Sequence, residues 1–96
     1  MRWTWDPEKS RFNKRKHGLS FETAQLVFDD PLGASRRDPF PDEERWQTIG
    51  MIEGVVILVV HTATGANPRS IEELGRIISA RKAMPHERRA YEEGDF

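Results

Sequence analysis

The chain has no cysteine, a single tyrosine and no apolar run approaching the length of a bilayer. Without cysteine there are no disulfides, no zinc–cysteine sites and no thiol nucleophile, which suits a reducing compartment. Without a long apolar run there is no membrane-spanning helix, and the opening MRWTWDPEKS lacks the apolar core of a secretory signal. A soluble, cytoplasmic protein with no membrane partner is therefore predicted. A large excess of either charge is also missing, since 15 Lys and Arg stand against 16 Asp and Glu, a net charge of -1. Indiscriminate nucleic-acid binders are basic overall, so that class is disfavoured. Gly-rich phosphate loops, nucleophile elbows and paired-carboxylate signatures do not occur. The three histidines, His17, His61 and His86, are not at ligand spacing. Neither a metal nor another cofactor is predicted.

What is present is enough for one modest core. At 96 residues and 36% hydrophobic content, residues 1–96 are read as one domain. The charge is segregated along it. KSRFNKRKH, residues 9–17, carries six basic side chains counting His17 and no acid, whereas the charges of residues 29–44 are mostly acidic. Such segregation at near-zero net charge suits a protein that binds an anion with one face and a protein partner with another.

Local signals divide the chain into elements. WTW alternates like a short strand. Asp6-Pro7-Glu8 reads as N-cap, first helical residue and favourable dipole charge, and Gly18 ends that helix. Ser20 caps a second helix, FETAQLVF, whose Phe21, Ala24, Val27 and Phe28 form one stripe. A short edge strand around Ala34 to Arg37 follows among prolines. RWQTIGMI and VVILVVHT form an antiparallel hairpin about Glu53-Gly54, and the second, apolar on both faces, belongs in the middle of the sheet. Gly65, Asn67 and Pro68 mark a turn, SIEEL adds either a helical turn or the lead-in to a strand, GRIISARKA is the last strand, and Pro85 opens a final helix that Gly94 stops. The order β-α-α-(β)-β-β-β-α predicts an α+β fold, a small antiparallel sheet with two N-terminal helices and one C-terminal helix packed on it.

The last strand and helix hold the chemistry. Simple alternation places Arg76, Ile78, Ala80 and Lys82 on one face and Ile77, Ser79, Arg81 and Ala83 on the other. Neither face is wholly apolar, so at least one cation stands on a partly buried surface and needs an acid or a bound anion. Arginine suits phosphate, and RNA can cleave itself when a protein orients the 2′-hydroxyl and stabilises the phosphorane. The plainer reading of the final helix is a surface lattice of Glu87, Arg88, Arg89 and Glu92. The plainer reading of the 9–17 cluster is charge matched to a helix C-terminus.

WDPEKSRFNKRKHGLSFETAQLVFDD, RWQTIG, VVHT and RIISARKA…ERRAYEEG together resemble the BrnT family, toxins of type II BrnT/BrnA toxin–antitoxin pairs, over Trp5 to Gly94. The resemblance implies a RelE-like fold and a metal-independent ribonuclease that arrests translation. It also implies a BrnA-like antitoxin, whose ribbon-helix-helix portion would contact operator DNA, in a hetero-oligomer such as 2:2. Carried over by position, the functional cations fall on Arg81 and on Arg88 or Arg89, with Lys16, His17 and Arg45 as further candidates. On this reading Arg81 and Arg88 hold the scissile phosphate, Lys82 or His61 assists proton transfer, and Glu87 is a base or an orienting partner. Arg76, Arg89 and Tyr91 join Lys16, His17 and Arg45 in contacting RNA. The alternative is a non-catalytic, antitoxin-binding co-repressor.

Overall fold

Two helix caps anticipated from sequence tie the N-terminal third together. The computed structural model describes residues 2–62, 65–66 and 73–96. The expected turn at Asn67 and Pro68 and the start of SIEEL lie outside them. After strand β1 (Arg2–Thr4), helix α1 (Pro7–His17) starts where Asp6 Oδ1 accepts a hydrogen bond from the Glu8 N–H at 2.9 Å. It ends at Gly18, whose φ of 73° is the left-handed conformation of a C-terminal cap. The buried residues of α1 are polar, Ser10 and Asn13, so the helix docks by hydrogen bonds. Ser10 Oγ accepts from the Phe21 N–H at 2.9 Å. Asn13 Nδ2 donates to the carbonyls of Leu19 (2.7 Å) and Ala80 (2.9 Å), and its Oδ1 accepts from the Ala80 N–H (3.3 Å).

The second helix is shorter than its apolar stripe predicts. Capped by Ser20, α2 spans only Phe21–Ala24 and continues as a 3-10 helix over Gln25–Asp29. In the tighter winding, side chains three apart eclipse one another, and Phe21, Ala24 and Val27 are the residues it buries. Val27 presses on Gly50 so closely that a Cβ there would lie 2.7 Å from the Val27 carbonyl oxygen. Only glycine fits.

Strands β2 (Ala34–Arg37), β3 (Arg45–Ile52), β4 (Val55–Thr62), β5 (Gly65–Ala66) and β6 (Glu73–Lys82) and helix α3 (Pro85–Glu93) complete the chain. The sheet order is β1-β6-β4-β3-β2, with β5 beside β6. The β3–β4 hairpin, the edge position of β2 and the central position of β4 agree with the sequence reading. The expectation of a purely antiparallel sheet does not hold. β1 runs parallel to β6, with Trp3 opposite Gly75, because α1 and everything after it intervene before the chain returns alongside its own start. No helix among the described residues is long and apolar enough to cross a membrane.

The helices also divide between the two faces of the sheet, where the sequence placed them together. Phe21, Ala24 and Val27 pack with Ile57, Val59, Ile77 and Ala80, while Ile49, Val56 and Leu58 meet Tyr91 and Phe96 of the C-terminal segment. Neighbouring strand residues point to opposite faces, so Ile57 and Leu58 serve different cores. The N-terminal helices cover one face and α3 covers part of the other.

Candidate active site

Arg81 stands opposite Leu58 on the α3 face. Its two terminal nitrogens grip Glu87, Nη1 to Oε1 at 2.7 Å and Nη2 to Oε2 at 3.0 Å. Glu87 is 4% exposed, yet both its oxygens are satisfied. Oε1 also accepts the Met84 N–H at 2.8 Å, the carboxylate half of a capping box. The bond from Arg81 and the lone backbone donor hold the Glu87 carboxyl below the usual range, against the opposing effect of burial, and Glu87 in turn raises Arg81. A third group approaches from the sheet edge. Arg36 Nη2 lies 4.0 Å from Glu87 Oε2, its guanidinium stacks 4.1 Å from the Phe96 ring centre, and its Nε donates to Gln47 Oε1 at 2.8 Å.

A second cluster continues along the same face toward Thr62. Arg45 Nε donates to Glu43 Oε1 at 2.9 Å and its guanidinium lies 3.8 Å from the Phe40 ring centre. Arg76 Nη2 reaches the same carboxylate at 3.2 Å, and its backbone N–H donates to Thr62 Oγ1 at 3.0 Å. Arg45, then Arg76, hold the Glu43 carboxyl below its ordinary value. Arg76 reaches this face through an irregularity. The register steps from Val60↔Ser79 to His61↔Ile77, leaving Ile78 as the extra residue of a bulge. Simple alternation put Arg76 with Ala80 and Ile77 with Arg81. The bulge reverses that, and Ile77 is buried with Ala80 in the other core.

The remaining candidates lie elsewhere. His61 is on the opposite face, 6% exposed, its ring edge-on to Trp3 and Phe28. Its Nδ1 lies 2.7 Å from the Thr62 carbonyl, which can only accept, so Nδ1 carries the proton and Nε2 accepts from Thr48 Oγ1 at 2.6 Å. Ser35 Oγ contacts the same Thr48 hydroxyl at 2.7 Å. Burial lowers the His61 pKa below its ordinary value. Lys82 pairs with Ile57 and lines a shallow recess with Ala83 and Arg88. Helix α3 turns Glu87 and Tyr91 to the sheet, and leaves Arg88 and Arg89 exposed. Tyr91 donates to Asp30 Oδ2 at 2.5 Å, which raises its pKa to about 12. Lys16 and His17, exposed at the end of α1, belong to the far side of the sheet.

The structure thus brings together Arg81 and Glu87 and, along the same face, Arg76 and Arg45. It adds Arg36, Glu43 and Gln47, which the sequence reading missed. The available signal was the period of two in ASRR, which aligns Arg36 with the inward-facing Ala34. Among the described residues, no three His, Asp or Glu side chains converge as a metal site. A family model described as "Ribonuclease toxin, BrnT, of type II toxin-antitoxin system" matches residues 5–87. The chain belongs to the BrnT toxin family. No curated protein matches it significantly. The match spans Glu87 and every arginine of the face except those beyond it on α3, so both clusters fall within the family region. Membership makes the chain a ribonuclease toxin of a type II system, with an antitoxin as partner.

Proposed function

We propose that this BrnT-family chain acts, as one domain, as a metal-independent, RelE-like endoribonuclease of the cytoplasm that arrests translation by cutting RNA. Its inhibitor would be a BrnA-like antitoxin that brings operator DNA through a ribbon-helix-helix portion, in a hetero-oligomer such as 2:2. The observation that carries the reading is the Arg81–Glu87 pair. A buried carboxylate fixes a guanidinium at the border of an open, arginine-lined face. Two of Arg81's five N–H groups go to Glu87 and one to the Lys82 carbonyl at 3.3 Å. The others are available to a phosphate.

When the 2′-oxygen, its proton passing to solvent water, attacks phosphorus and the bond to the 5′-oxygen breaks, with that oxygen taking a proton from solvent, extra negative charge develops on the phosphorane oxygens. A donor already held in place stabilises that charge without reorganising. Arg81 takes this role with Arg36 beside it. Glu87 is the orienting partner rather than the base, because its lowered pKa and fully engaged oxygens make it a poor proton acceptor. Arg45 and Arg76 hold the RNA backbone further along the face, and Arg88 contacts it at the α3 border, while Lys82, paired with Ile57, starts from the opposite face of β6. His61 supports β3 and β4 from behind.

Purified free of antitoxin, the wild type should shorten a defined RNA. Arg81→Lys, which keeps the charge and loses the two-point grip on the buried Glu87, should remain folded with a somewhat lower melting temperature and be severely impaired in cleavage below that temperature. Equal cleavage by the two proteins would overturn the assignment. One observation favours the non-catalytic co-repressor reading: Arg36, Arg45, Arg76 and Arg81 all have an acid or amide partner already. An RNA left intact by a folded, antitoxin-binding wild type would establish that reading instead.

A further inference from the structure

At the opposite end of the sheet from Arg45 and Arg76 lies a groove of different chemistry. Leu32 (74% exposed), Leu26 (46%) and Met51 (41%) line one cleft of about 610 Å³ between the 3-10 helix, the β3–β4 turn and the last turn of α3. Singly exposed apolar side chains are ordinary, but a contiguous set marks an interaction site. Asp29, Glu53 and Glu92 rim the cleft, and no lysine, arginine or histidine lines it. Among the described residues these three carboxylates have no cationic partner. Asp30, on the floor, is already spent on Tyr91 and on the Met51 and Leu32 N–H groups.

Glu53 is placed on the rim by the hairpin turn. It occupies the first position of the two-residue hairpin turn with φ 47°, and it is the one non-glycine residue with positive φ among those described. Asparagine or glycine sits there without strain. The cleft is also preformed, because Asp30 ties α3 through Tyr91 to the β3 backbone at Met51.

We propose that this groove docks a basic amphipathic helix of the antitoxin, its apolar stripe on Leu26, Leu32 and Met51 and its lysines or arginines on Asp29, Glu53 and Glu92. This rests on the toxin–antitoxin reading of the chain. A helix in a groove presents an apolar stripe with flanking charges, and the acidic rim selects cations and repels RNA phosphate. The groove opens beside the Ile52–Val55 end of the hairpin, and the arginine cluster at Thr62 lies roughly 20 Å away along β4 by strand rise. The partner is therefore anchored away from Arg45 and Arg76, with only Gly54 shared between the groove and the recess beside Arg88.

The experiment measures antitoxin affinity for the full chain and for Leu32→Asp, Glu53→Lys and the double variant. Labelled helical peptides, one leucine–lysine and one leucine–glutamate, serve as defined probes. All substituted positions are exposed, so melting temperatures should match the parent. The double variant should lose at least about tenfold in antitoxin affinity, as hot-spot removal does, with RNA cleavage unchanged. The lysine peptide should bind and the glutamate peptide should not. Undiminished antitoxin affinity in the double variant, equal binding of the two peptides, or RNA crosslinked at Leu32 would each overturn the proposal. Cleavage is read separately, so an inactive wild type whose groove variants still lose the antitoxin would remove the nuclease reading and leave the groove standing.

Discussion

Arg76 and Arg81 lie an odd number of positions apart in β6, yet both join the arginine face that α3 only partly covers. The bulge at Ile78 makes this so. In an unbroken strand Arg76 would point at the N-terminal helices, and the Glu43 cluster would lose one of its two arginines. The bulge therefore joins two ion-paired clusters into one cationic face.

Arg81 and Arg89 should separate in cleavage. Arg81 is fixed by Glu87 before RNA arrives, whereas Arg89 is exposed on α3. Losing Arg81 should cost on the order of 100-fold or more, as removal of one preorganised donor does. Losing Arg89 should cost roughly tenfold or less, and added salt should shrink that difference by weakening the parent. Purified alanine variants on one RNA at two salt concentrations make the comparison. A deader Arg89→Ala would reverse the two roles.

Cleavage should survive EDTA and leave 2′,3′-cyclic phosphate ends. Arginines, and no converging ligand set among the described residues, occupy the face. The check is end-group analysis of products made with and without chelator. Activity lost in EDTA and restored by magnesium or manganese would count against the proposed chemistry.

His61 should make stability fall in mild acid. Burial depresses its folded pKa below 6.5, so the unfolded chain takes up the proton first. The stabilisation is complete above about pH 6.5, the unfolded value, and fades as pH drops toward the folded one. Denaturant midpoints at pH 7 and pH 5 should differ in the wild type. In His61→Gln the difference should shrink, at a lower overall stability. An identical pH slope in both proteins would place the titration elsewhere.

Removing the Tyr91 hydroxyl should loosen α3. Tyr91→Phe keeps the ring against Val56 and Leu58 but deletes the bond to Asp30. A partly exposed bond of this kind contributes about 1 kcal/mol, which in a domain of this size lowers Tm by roughly 4–8 °C. In the wild type, stability should also decline as pH rises from 10 toward about 12, because the Tyr91 pKa is raised. Tyr91→Phe should lack that decline. An unchanged Tm would show that packing alone holds the helix.

Features that depend on a few adjacent residues were legible in the sequence. Asp6-Pro7, Ser20, Gly18 and Gly94 mark helix ends through local chemistry, and Glu53-Gly54 sets the hairpin register. That at least one cation of β6 needs a partner was legible from its apolar neighbours, while Arg81 in particular was marked by the family resemblance. What escaped depends on distant contacts or on one inserted residue. The bulge at Ile78 has no local signature in RIISAR. The parallel pairing of Trp3 with Gly75 joins segments far apart in the chain. Arg36 and Glu43 lie in or beside a proline-rich stretch, and only its fold across the sheet gives them partners. His61 closed an attractive strand beside the cations, but whether it pointed toward them was a question of face, settled by packing against Trp3 and Phe28.

Asn13 has a consequence for how the chain reaches its native state. Its amide serves the Ala80 backbone as a neighbouring strand would, from a helix 67 positions away in sequence. Until α1 has docked, that stretch of β6 is a bare edge, open to another copy of itself. The guard is made early and the strand it protects is made last. Asn13→Ala, by removing the amide that covers this edge, should leave it open to another copy. Its signature would be a refolding yield that falls with protein concentration more steeply than the wild type's.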